Sequence, residues 1–259
     1  GVCGLMNIQY AIEDDVVFVI EANPRASRTV PLVSKVCGLN MVKLAIQAIM
    51  AAHDDKPSGL DKLPATVCKH YGVKEAVFPF NMFPEVDPVL GPEMRSTGEV
   101  LGLAEDFGEA FYKAQEATQT VLPTSGTVFI SVCDSDKKDV VEVAKLFDEA
   151  GFMIVATKGT FDALQSAGVA AALVLKVSEG RPNVVDMLIN NKISMVVNTH
   201  GQERRANTDG AEIRAACIKG RVPYCTTIAA AKASGIGILA CRQSHGGQVK
   251  SLQNLMDLR

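Results

Sequence analysis

The sequence lacks several features that mark common classes of protein. It has no tryptophan, only 5% aromatic residues, and 26 lysines and arginines against 29 aspartates and glutamates. Without a basic excess, the chain is not expected to bind nucleic acid through its phosphates. It has no run of about 18 apolar residues, so no membrane-spanning segment is expected. Because 47% of its 259 residues are hydrophobic, one or two globular domains are predicted instead of a disordered chain.

Cysteine and histidine motifs are also missing. The seven cysteines include no CxxC pair and the four histidines no HExxH motif, so neither a disulfide framework nor a zinc site is expected. Reduced thiols indicate a cytoplasmic protein, or a mitochondrial or plastid one in a eukaryote. The chain begins at Gly1 with no signal-like segment, and we expect it to be a piece of a longer protein.

Two regions of different pattern are separated by a segment rich in Thr, Pro, Ser and Gly at residues 119–126. We therefore predict two domains, residues 1–120 and residues 121–259. The first is predicted to be an α+β fragment without a complete core of its own. Its predicted elements are a β-hairpin (6–12 and 16–20), short extended pieces (77–80 and 82–83) and two helices (39–52 and 107–117).

In the second region, apolar runs typical of buried strands alternate with helical stretches. This order predicts a doubly wound α/β fold with a five-stranded parallel sheet covered on both faces. Ligands in such folds bind beyond the carboxyl ends of the strands. The predicted strands are 127–132, 153–155, 173–175, 194–197 and 222–224, and the predicted helices are 137–150, 160–167, 183–191, 209–219 and 227–235.

The densest chemistry of the first region follows the second hairpin strand. Glu21 and Asn23 are two residues apart on a strand, so their side chains should share a face. If the hairpin pairs residues whose numbers sum to about 30, Gln9 lies opposite Glu21 and shares that face. One carboxylate and two amide oxygens suit Mg²⁺ that keeps waters and phosphate ligands. Arg25 and Arg28 could stabilise a phosphoryl group in transfer. The alternative is that Glu21 pairs with one of these arginines.

Phosphate-type donors follow several strands of the second region. Thr160 is expected at a helix start, Lys176 follows the third strand, and Asn198 and Thr199 follow the fourth. Because these strand ends should meet at one edge of the sheet, an anion-binding crevice is predicted there. Taken one at a time, Thr160 and Thr227 could be helix caps and Lys176 a solvated lysine.

Two long segments resemble a known family. Residues 18–35, FVIEANPRASRTVPLVSK, and residues 91–100, GPEMRSTGEV, closely resemble the metal-binding part of the second ATP-grasp unit in the large subunit of carbamoyl phosphate synthetase. Residues 126–245 resemble the methylglyoxal-synthase-like allosteric domain that ends the same subunit. The matching pieces are residues 157–160, 176–182, 197–199, 204–205 and 224–227.

This resemblance implies that residues 1–120 are the C-terminal part of an ATP-grasp domain that phosphorylates carbamate, and residues 121–259 a methylglyoxal-synthase-like domain. Gln9, Glu21 and Asn23 would bind the Mg²⁺ or Mn²⁺ that bridges the ATP phosphates, and Arg25 would stabilise the transferred phosphoryl group. The implied partners are the remainder of the large subunit and a glutaminase subunit or domain. Because the upstream part of the nucleotide cleft and any Walker A or GxGxxG motif are missing, the chain alone is expected not to hydrolyse ATP.

The resemblance also implies two effector sites. A nucleotide-type effector would bind at a set of polar residues, and an ornithine-type ligand at the domain junction. The nucleotide set is Thr157, Thr160, Lys176, Asn198 and Thr199, and the junction set is Glu75, Tyr224 and Thr226. Since His200, Cys225 and residues 228–231 depart from the bacterial pattern, UMP, IMP, UTP, phosphoribosyl pyrophosphate and N-acetylglutamate remain open as effectors.

The sequence leaves two other functions open. The chain could be a sensing module for a nucleotide or an amino acid, without catalysis. It could also be a lyase of the methylglyoxal synthase type, which is less favoured because residues 198–202, NTHGQ, lack the Gly-Asp context of that enzyme's carboxylate base.

Overall fold

A computed structural model describes residues 1–60, 68, 70–83, 90, 93–118, 121–199, 207–244 and 249–255. The chain forms two compact units, one of Gly1–Tyr71 with Val249–Arg259 and the other of Gly72–Gln248. The second unit begins at Gly72, about fifty residues before the segment at 119–126 where the composition of the sequence changes. The domain boundary at residue 120 stays a prediction, and residues 119 and 120 lie outside the described part of the chain.

The first unit begins with the predicted β-hairpin, β1 (Asn7–Glu13) and β2 (Val16–Asn23). Asp14 and Asp15 form its two-residue turn with φ of 47° and 61°. Aspartate tolerates this left-handed conformation better than most residues do, and such turns match the twist of paired strands. The hairpin carries the candidate metal ligands at the end away from this turn.

Two helices follow the hairpin where a single one is predicted. They are α1 (Thr29–Cys37) and α2 (Met41–His53). Helix α2 confirms the helix predicted at 39–52, whereas α1 was not predicted. Pro31 lies in the first turn of α1, where a proline is tolerated because its missing N–H needs no partner. Gly38, with a φ of 64°, ends α1, and the Asn40 side chain accepts from the Lys43 N–H to cap α2.

The second unit starts with a two-stranded sheet that the sequence did not predict. Strands β3 (Tyr71–Val77) and β4 (Gly98–Ala104) pair with each other, and Phe80–Met82 is a 3-10 turn instead of an extended piece. Helix α3 (Phe107–Ala117), which was predicted, follows with Asp106 as its cap. Residues 84–89, 91 and 92 of the proline-rich stretch lie outside the described residues.

The rest of the second unit is the predicted doubly wound fold. Its five strands are all parallel, in the order β7-β6-β5-β8-β9. The chain therefore winds outward on one side of β5, returns, and winds outward on the other side, which creates a switch point between β5 and β8. The strands are β5 (Thr127–Ser131), β6 (Met153–Ala156), β7 (Ala172–Leu173), β8 (Met195–Asn198) and β9 (Tyr224–Cys225).

Two apolar cores cover the faces of this sheet. Val128 and Ile130 of β5 belong to one core and Phe129 to the other, because successive side chains of a strand point to opposite faces. All three side chains are fully buried. The covering helices are α4 (Val140–Glu149), α5 (Lys158–Ser166), α6 (Val184–Ile189), α7 (Asn207–Gly220) and α8 (Ile228–Gln243), and a short α9 (Leu252–Leu255) belongs to the first unit.

Helix α8 continues eight residues beyond its predicted end at residue 235. The glycines of α8 allow close packing. A Cβ on Gly235 would come within 3.0 Å of Leu146, and one on Gly237 within 3.3 Å of the Gly108 carbonyl. Helices α3 and α8 therefore approach closely enough that small residues are required between them.

Within the described residues, no single helix has the length and apolar composition of a membrane span. Taken together, α1 and α2 would pass that test, although they are bent by 105° relative to each other.

Candidate functional site

The hairpin places Gln9 directly opposite Glu21, and Asn7 opposite Asn23. The pairing slips by one residue between Gln9 and Tyr10, where a β-bulge interrupts the ladder. Directly paired residues project from the same face of a hairpin, as do residues two apart on one strand. Gln9, Glu21 and Asn23 therefore lie on one face at the open end of the hairpin.

The contacts of Glu21 distinguish between the two interpretations of this end. A Glu21 carboxylate oxygen accepts a hydrogen bond from the Asn23 side-chain amide at 2.9 Å. The Arg25 guanidinium donates instead to the Ala26 carbonyl at 3.2 Å. Within the described part of the chain, neither Arg25 nor Arg28 forms an ion pair with Glu21, so the alternative of a simple strand-end salt bridge is not what the structure contains.

The chemistry of these donors fits a hard divalent cation. Glu21 is exposed and Asn23 half-buried, so a carboxylate and nearby amide oxygens are accessible to an ion carrying waters and phosphate oxygens. No cluster of three or more His, Cys, Asp or Glu side chains in the described ranges could hold a metal. A metal at the hairpin would therefore depend on one carboxylate and on amides.

The second candidate site is a cavity of about 170 Å³ at the carboxyl ends of the central strands. It lies beside the switch point between β5 and β8, where ligands of doubly wound folds bind. Four of the five residues predicted to hold a nucleotide-type effector line it together, namely Thr157, Lys176, Asn198 and Thr199.

Asn198 presents a buried polar atom at the crevice. Its side-chain N–H donates to the Ser131 carbonyl at 3.3 Å, while its Oδ1 is buried without a hydrogen-bond partner among the described residues. The residue is only 8% exposed. An unpaired buried acceptor costs about 1–3 kcal/mol, so a ligand that donates a hydrogen bond to Oδ1 would recover that cost.

The hydroxyls of the crevice are held in fixed positions. Ser131 and Thr157 share a hydrogen bond of 2.9 Å between their oxygens, and the Cys133 N–H donates to the Thr199 hydroxyl at 3.1 Å. A hydrogen bond from Thr199 holds the pKa of Asp136 below its ordinary value. The crevice is thus built before any ligand arrives, which lowers the entropic cost of binding.

Thr160 does not have the position predicted for it. Helix α5 begins at Lys158, with Thr157 as its cap residue, so Thr160 is inside the helix and not at its start. Its side chain is 1% exposed and accepts from the Val132 N–H at 3.1 Å. Thr160 therefore supports the loop after β5 instead of lining the cavity. Thr227 is a helix cap, accepting from the Ala230 N–H at 3.2 Å.

The sequence reading missed several residues at this crevice. Asp209 lines it and accepts from the Ser178 N–H and hydroxyl at 3.2 and 2.7 Å. Two cations lie nearby. Lys137 Nζ would come within 2.8 Å of a Cβ on Gly159, two residues after Thr157, and Arg214 Nη1 would come within 3.0 Å of a Cβ on Gly210, which lines the cavity. No motif marks these residues, because they come together only when distant helices and loops fold around the strand ends. Ser131 and Cys133 also line the cavity.

A second, larger cavity of about 560 Å³ in the same unit contains all three residues of the predicted ornithine-type site. Glu75, Tyr224 and Thr226 line it, and the Glu75 carboxylate accepts from the Gln115 side-chain amide at 3.0 Å. Phe78, Phe80 and Phe111 supply apolar walls, with the rings of Phe78 and Phe80 stacked at a 5.2 Å centroid distance.

The charged residues that line this cavity are Glu75 and Arg221. Burial raises the pKa of Glu75, although a backbone hydrogen bond at Ala76 opposes the shift. Burial also raises the pKa of the neighbouring Cys225 thiol to about 11 and that of Cys217 to about 12, so both thiols stay neutral near pH 7. A partly buried carboxylate among aromatic rings suits a ligand with an ammonium group.

Some predicted pieces lie outside the described residues. They are His200, residues 204–205 and the first two residues of the 91–100 segment.

Two family models match the chain. Residues 1–54 match the model described as carbamoyl-phosphate synthase L chain, ATP binding domain, and residues 139–226 match that of the MGS-like domain. The first match contains the hairpin site, and the second contains most of the strand-end crevice.

Similar proteins match nearly the whole chain. It is 47% identical over 259 residues to the carbamoyl phosphate synthase large chain of Ralstonia nicotianae. The aligned region covers 98% of this chain and 23% of that protein. It is 44% identical over 272 residues to the C-terminal section of the Aquifex aeolicus large chain, and this alignment covers 98% of the chain and 50% of that protein. It is 46% identical over 242 residues to the C-terminal section of the Methanocaldococcus jannaschii large chain, and this alignment covers 90% of the chain and 39% of that protein. The chain thus spans between about a quarter and a half of these relatives.

Proposed function

The chain belongs to the family of the carbamoyl phosphate synthase large chain, and on that premise we propose that it supplies part of an ATP-dependent carbamate phosphorylation site together with a regulatory domain. In the proposed reaction, a carbamate oxygen attacks the γ-phosphorus of ATP and the bond to the β-phosphate oxygen breaks. The products are carbamoyl phosphate and ADP. The observation that carries the proposal is the pairing of Gln9 with Glu21, beside Asn23, on one hairpin face.

In this proposal Gln9, Glu21 and Asn23 hold Mg²⁺ or Mn²⁺ through one carboxylate and two amide oxygens. When bound, the ion neutralises charge on the ATP phosphates. The amide of Asn23, hydrogen-bonded to Glu21, orients the carboxylate. Arg25, two residues beyond the end of β2, is exposed and free to turn its guanidinium toward the phosphoryl group in transfer, where a planar cation stabilises spread negative charge.

The other parts of the reaction are proposed to come from partners. The rest of a large chain would supply the adenine-binding side of the cleft, and a glutaminase subunit or domain would supply ammonia. We propose a cytoplasmic location, or an organelle in a eukaryote, for the assembly.

The test uses a large chain that contains this segment, assayed in the direction of ATP synthesis from carbamoyl phosphate and ADP. Glu21→Gln should reduce this rate by about a hundredfold or more, because it removes the charged metal ligand. Glu13→Gln, on the same hairpin but at its turn, should keep the parent rate. A Glu21→Gln enzyme that still makes ATP at the parent rate would show that Glu21 is not a metal ligand.

For the second half of the chain, we propose binding of a phosphate-bearing effector in the strand-end crevice. The cavity of about 170 Å³ is large enough for a phosphate group with attached atoms. Thr157 and Lys176 would donate to the phosphate, and the Thr199 hydroxyl would do so on turning away from Asp136. Because Asn198 Oδ1 is a buried acceptor, the ligand should also donate a hydrogen bond, as a ribose hydroxyl does.

The cavity with Glu75 is proposed to bind a second effector that carries an ammonium group on an apolar stem, of the ornithine type. Its aromatic walls would cover the stem and Glu75 would pair with the cation. Effectors at either site would change catalysis by favouring one of two states of β3, β4 and α3, the part of the chain that we propose carries the coupling.

A thermal-shift panel tests both sites with the chain itself, since a ligand that binds only the folded state raises its melting temperature. The panel contains UMP, IMP, UTP, phosphoribosyl pyrophosphate, N-acetylglutamate and ornithine. A shift with a phosphate compound or with ornithine is expected, and no shift with any compound would contradict the regulatory proposal. The lyase alternative predicts methylglyoxal formation from dihydroxyacetone phosphate, which we expect to be absent.

A further inference from the structure

Two of the seven cysteines are in direct contact. The Cys37 and Cys68 thiols hydrogen-bond each other with their sulfurs 3.6 Å apart, although they are separated by 31 positions in sequence. Both belong to the first compact unit. Cys37 is the last residue of α1, and Cys68 lies beyond α2. No other pair among the seven cysteines, all of them within the described residues, shows such a contact between sulfurs.

The other cysteines differ in access or in neighbours. Cys217, Cys225 and Cys241 are buried, which keeps them from small oxidants in the folded chain. Cys133 contacts Ser135, Asp136 and Thr199. Cys3 is exposed and has no contact with another thiol among the described residues.

From this contact we propose that Cys37 and Cys68 are a redox modification site that forms a reversible intramolecular disulfide by exchange with a small disulfide such as oxidised glutathione. This inference is independent of the proposed catalytic and regulatory functions. It concerns only the two thiols and the segment of chain between them.

The exchange balances in two steps. The exposed thiolate of Cys68 attacks one glutathione sulfur, which forms a mixed disulfide and releases one glutathione thiolate. The Cys37 thiolate then attacks the Cys68 sulfur, which forms the protein disulfide and releases the second glutathione. The protein loses two thiol hydrogens and two electrons, and one oxidised glutathione becomes two reduced molecules.

The environments of the two thiols support this order. Cys68 is exposed, whereas Cys37 is partly covered, so a small disulfide reaches Cys68 first. Burial, and to a smaller extent the neighbouring thiol, raise the pKa of Cys37. A thiol with a raised pKa is less often ionised but more nucleophilic once it is. Because Cys37 is already beside Cys68, it needs little access to solvent to resolve the mixed disulfide.

Bond formation requires the sulfurs to move from 3.6 Å to about 2.05 Å, which side-chain rotation can supply. The new bond would tie the end of α1 to the chain beyond α2, around a helix that already contacts its following segment through the Gln47–Ser58 hydrogen bond. The modification would therefore fasten the α1–α2 part of the first unit.

The experiment oxidises the folded, reduced chain with oxidised glutathione, blocks remaining thiols by alkylation, and maps cysteine peptides by mass spectrometry. A cross-linked Cys37–Cys68 peptide is expected in at least about tenfold excess over glutathione adducts at Cys68, and dithiothreitol should remove it. Prior unfolding in urea should abolish this preference. A stable glutathione adduct at Cys68 without the cross-linked peptide would overturn the proposal.

Three variants supply matched controls. Cys37→Ser should accumulate the glutathione adduct at Cys68, because the resolving thiol is gone, and Cys68→Ser should leave Cys37 largely reduced. Cys3→Ser should give the parent amount of cross-linked peptide. If cross-linking instead depended on Cys3 in the folded chain, the assignment of the pair would be wrong. The parent measurement does not depend on the folding of any variant.

Discussion

The Glu75 carboxylate of β3 and the Gln115 side-chain amide of α3 are joined by a hydrogen bond of 3.0 Å at the wall of the larger cavity. The sheet and the helix that follows it are thereby connected at the residue whose charge would attract an ammonium ligand. Because Glu75 is partly buried, its ionised form is less favoured in the folded chain than in water.

Glu75 should make the stability of the chain depend on pH. Its pKa is raised in the folded state from an ordinary value of 4.5, so above that value the folded chain keeps a proton that the unfolded chain has released. Stability should therefore fall as the pH rises from about 4.5 through the raised pKa, and level off above it. Denaturant unfolding at closely spaced pH values measures this slope.

Glu75→Gln should reduce that slope, since the amide does not ionise but can still accept from Gln115. It should also weaken ornithine binding by about tenfold or more, because a charge-assisted contact is lost. Glu116→Gln, an exposed change next to Gln115 on α3, is the matched control for both measurements. Equal slopes in the parent and in Glu75→Gln would show that Glu75 is not the responsible group.

Lys176 should contribute to phosphate binding in the strand-end crevice. It is exposed at the crevice wall, so its contribution should be modest, and Lys176→Ala is expected to weaken binding of UMP or a similar phosphate monoester by about three- to tenfold. The difference should shrink at high salt, because screening weakens exposed charge contacts. Titration calorimetry at two salt concentrations measures both effects.

Lys192→Ala serves as the control for net charge. Lys192 is exposed and does not line the crevice, so its loss should leave affinity almost unchanged. Equal losses in the two variants would mean that general surface charge, and not a contact at the crevice, attracts the phosphate.

The isolated chain should not turn over ATP at any Mg²⁺ concentration. Phosphoryl transfer depends on positioning and on electrostatic stabilisation, and the exposed hairpin provides only one side of a site: Glu21 and Arg25 are both open to solvent. A coupled assay for ADP release measures this. ATP hydrolysis that disappears in Glu21→Gln would show that these 259 residues are sufficient, contrary to this prediction.

The parts of the fold with strong local signals could be predicted from the sequence. The apolar runs predicted the five parallel strands because a strand buried on both faces needs apolar side chains at successive positions, as at Val128, Phe129 and Ile130. The pairing of Gln9 with Glu21 agrees with the register expected from the sequence, but the two-residue turn alone does not produce it. Next to the turn, Glu13 pairs with Val16, and a β-bulge after Gln9, which no sequence rule revealed, shifts the pairing by one residue.

The failures arose where a residue had a tertiary role that no local rule reveals. Pro31 lies in the first turn of α1, a helix that was not predicted. Gly235 stands at the predicted end of the last helix of the second region, but it allows α8 to pass close to Leu146. Asp209 is brought to the crevice by its contact with Ser178, 31 residues away. The role of Glu75 was inferred from a family resemblance, because a single acid on a short strand carries no pattern of its own.

Gly102 of β4 should be essential for the packing of α3. A Cβ there would come within 2.6 Å of the Ala114 backbone nitrogen, so Gly102→Ala must push strand and helix apart. Overpacking of this kind costs about 1–3 kcal/mol, and in a unit of this size each kcal/mol lowers the melting temperature by about 2–4 °C. Gly220→Ala is the matched control, because its Cβ would meet Val222 at an ordinary 3.5 Å and alanine favours helix over glycine. If Gly102→Ala melts at the parent temperature or above, while Gly220→Ala behaves as expected, then β4 and α3 are not packed as closely as their backbones indicate.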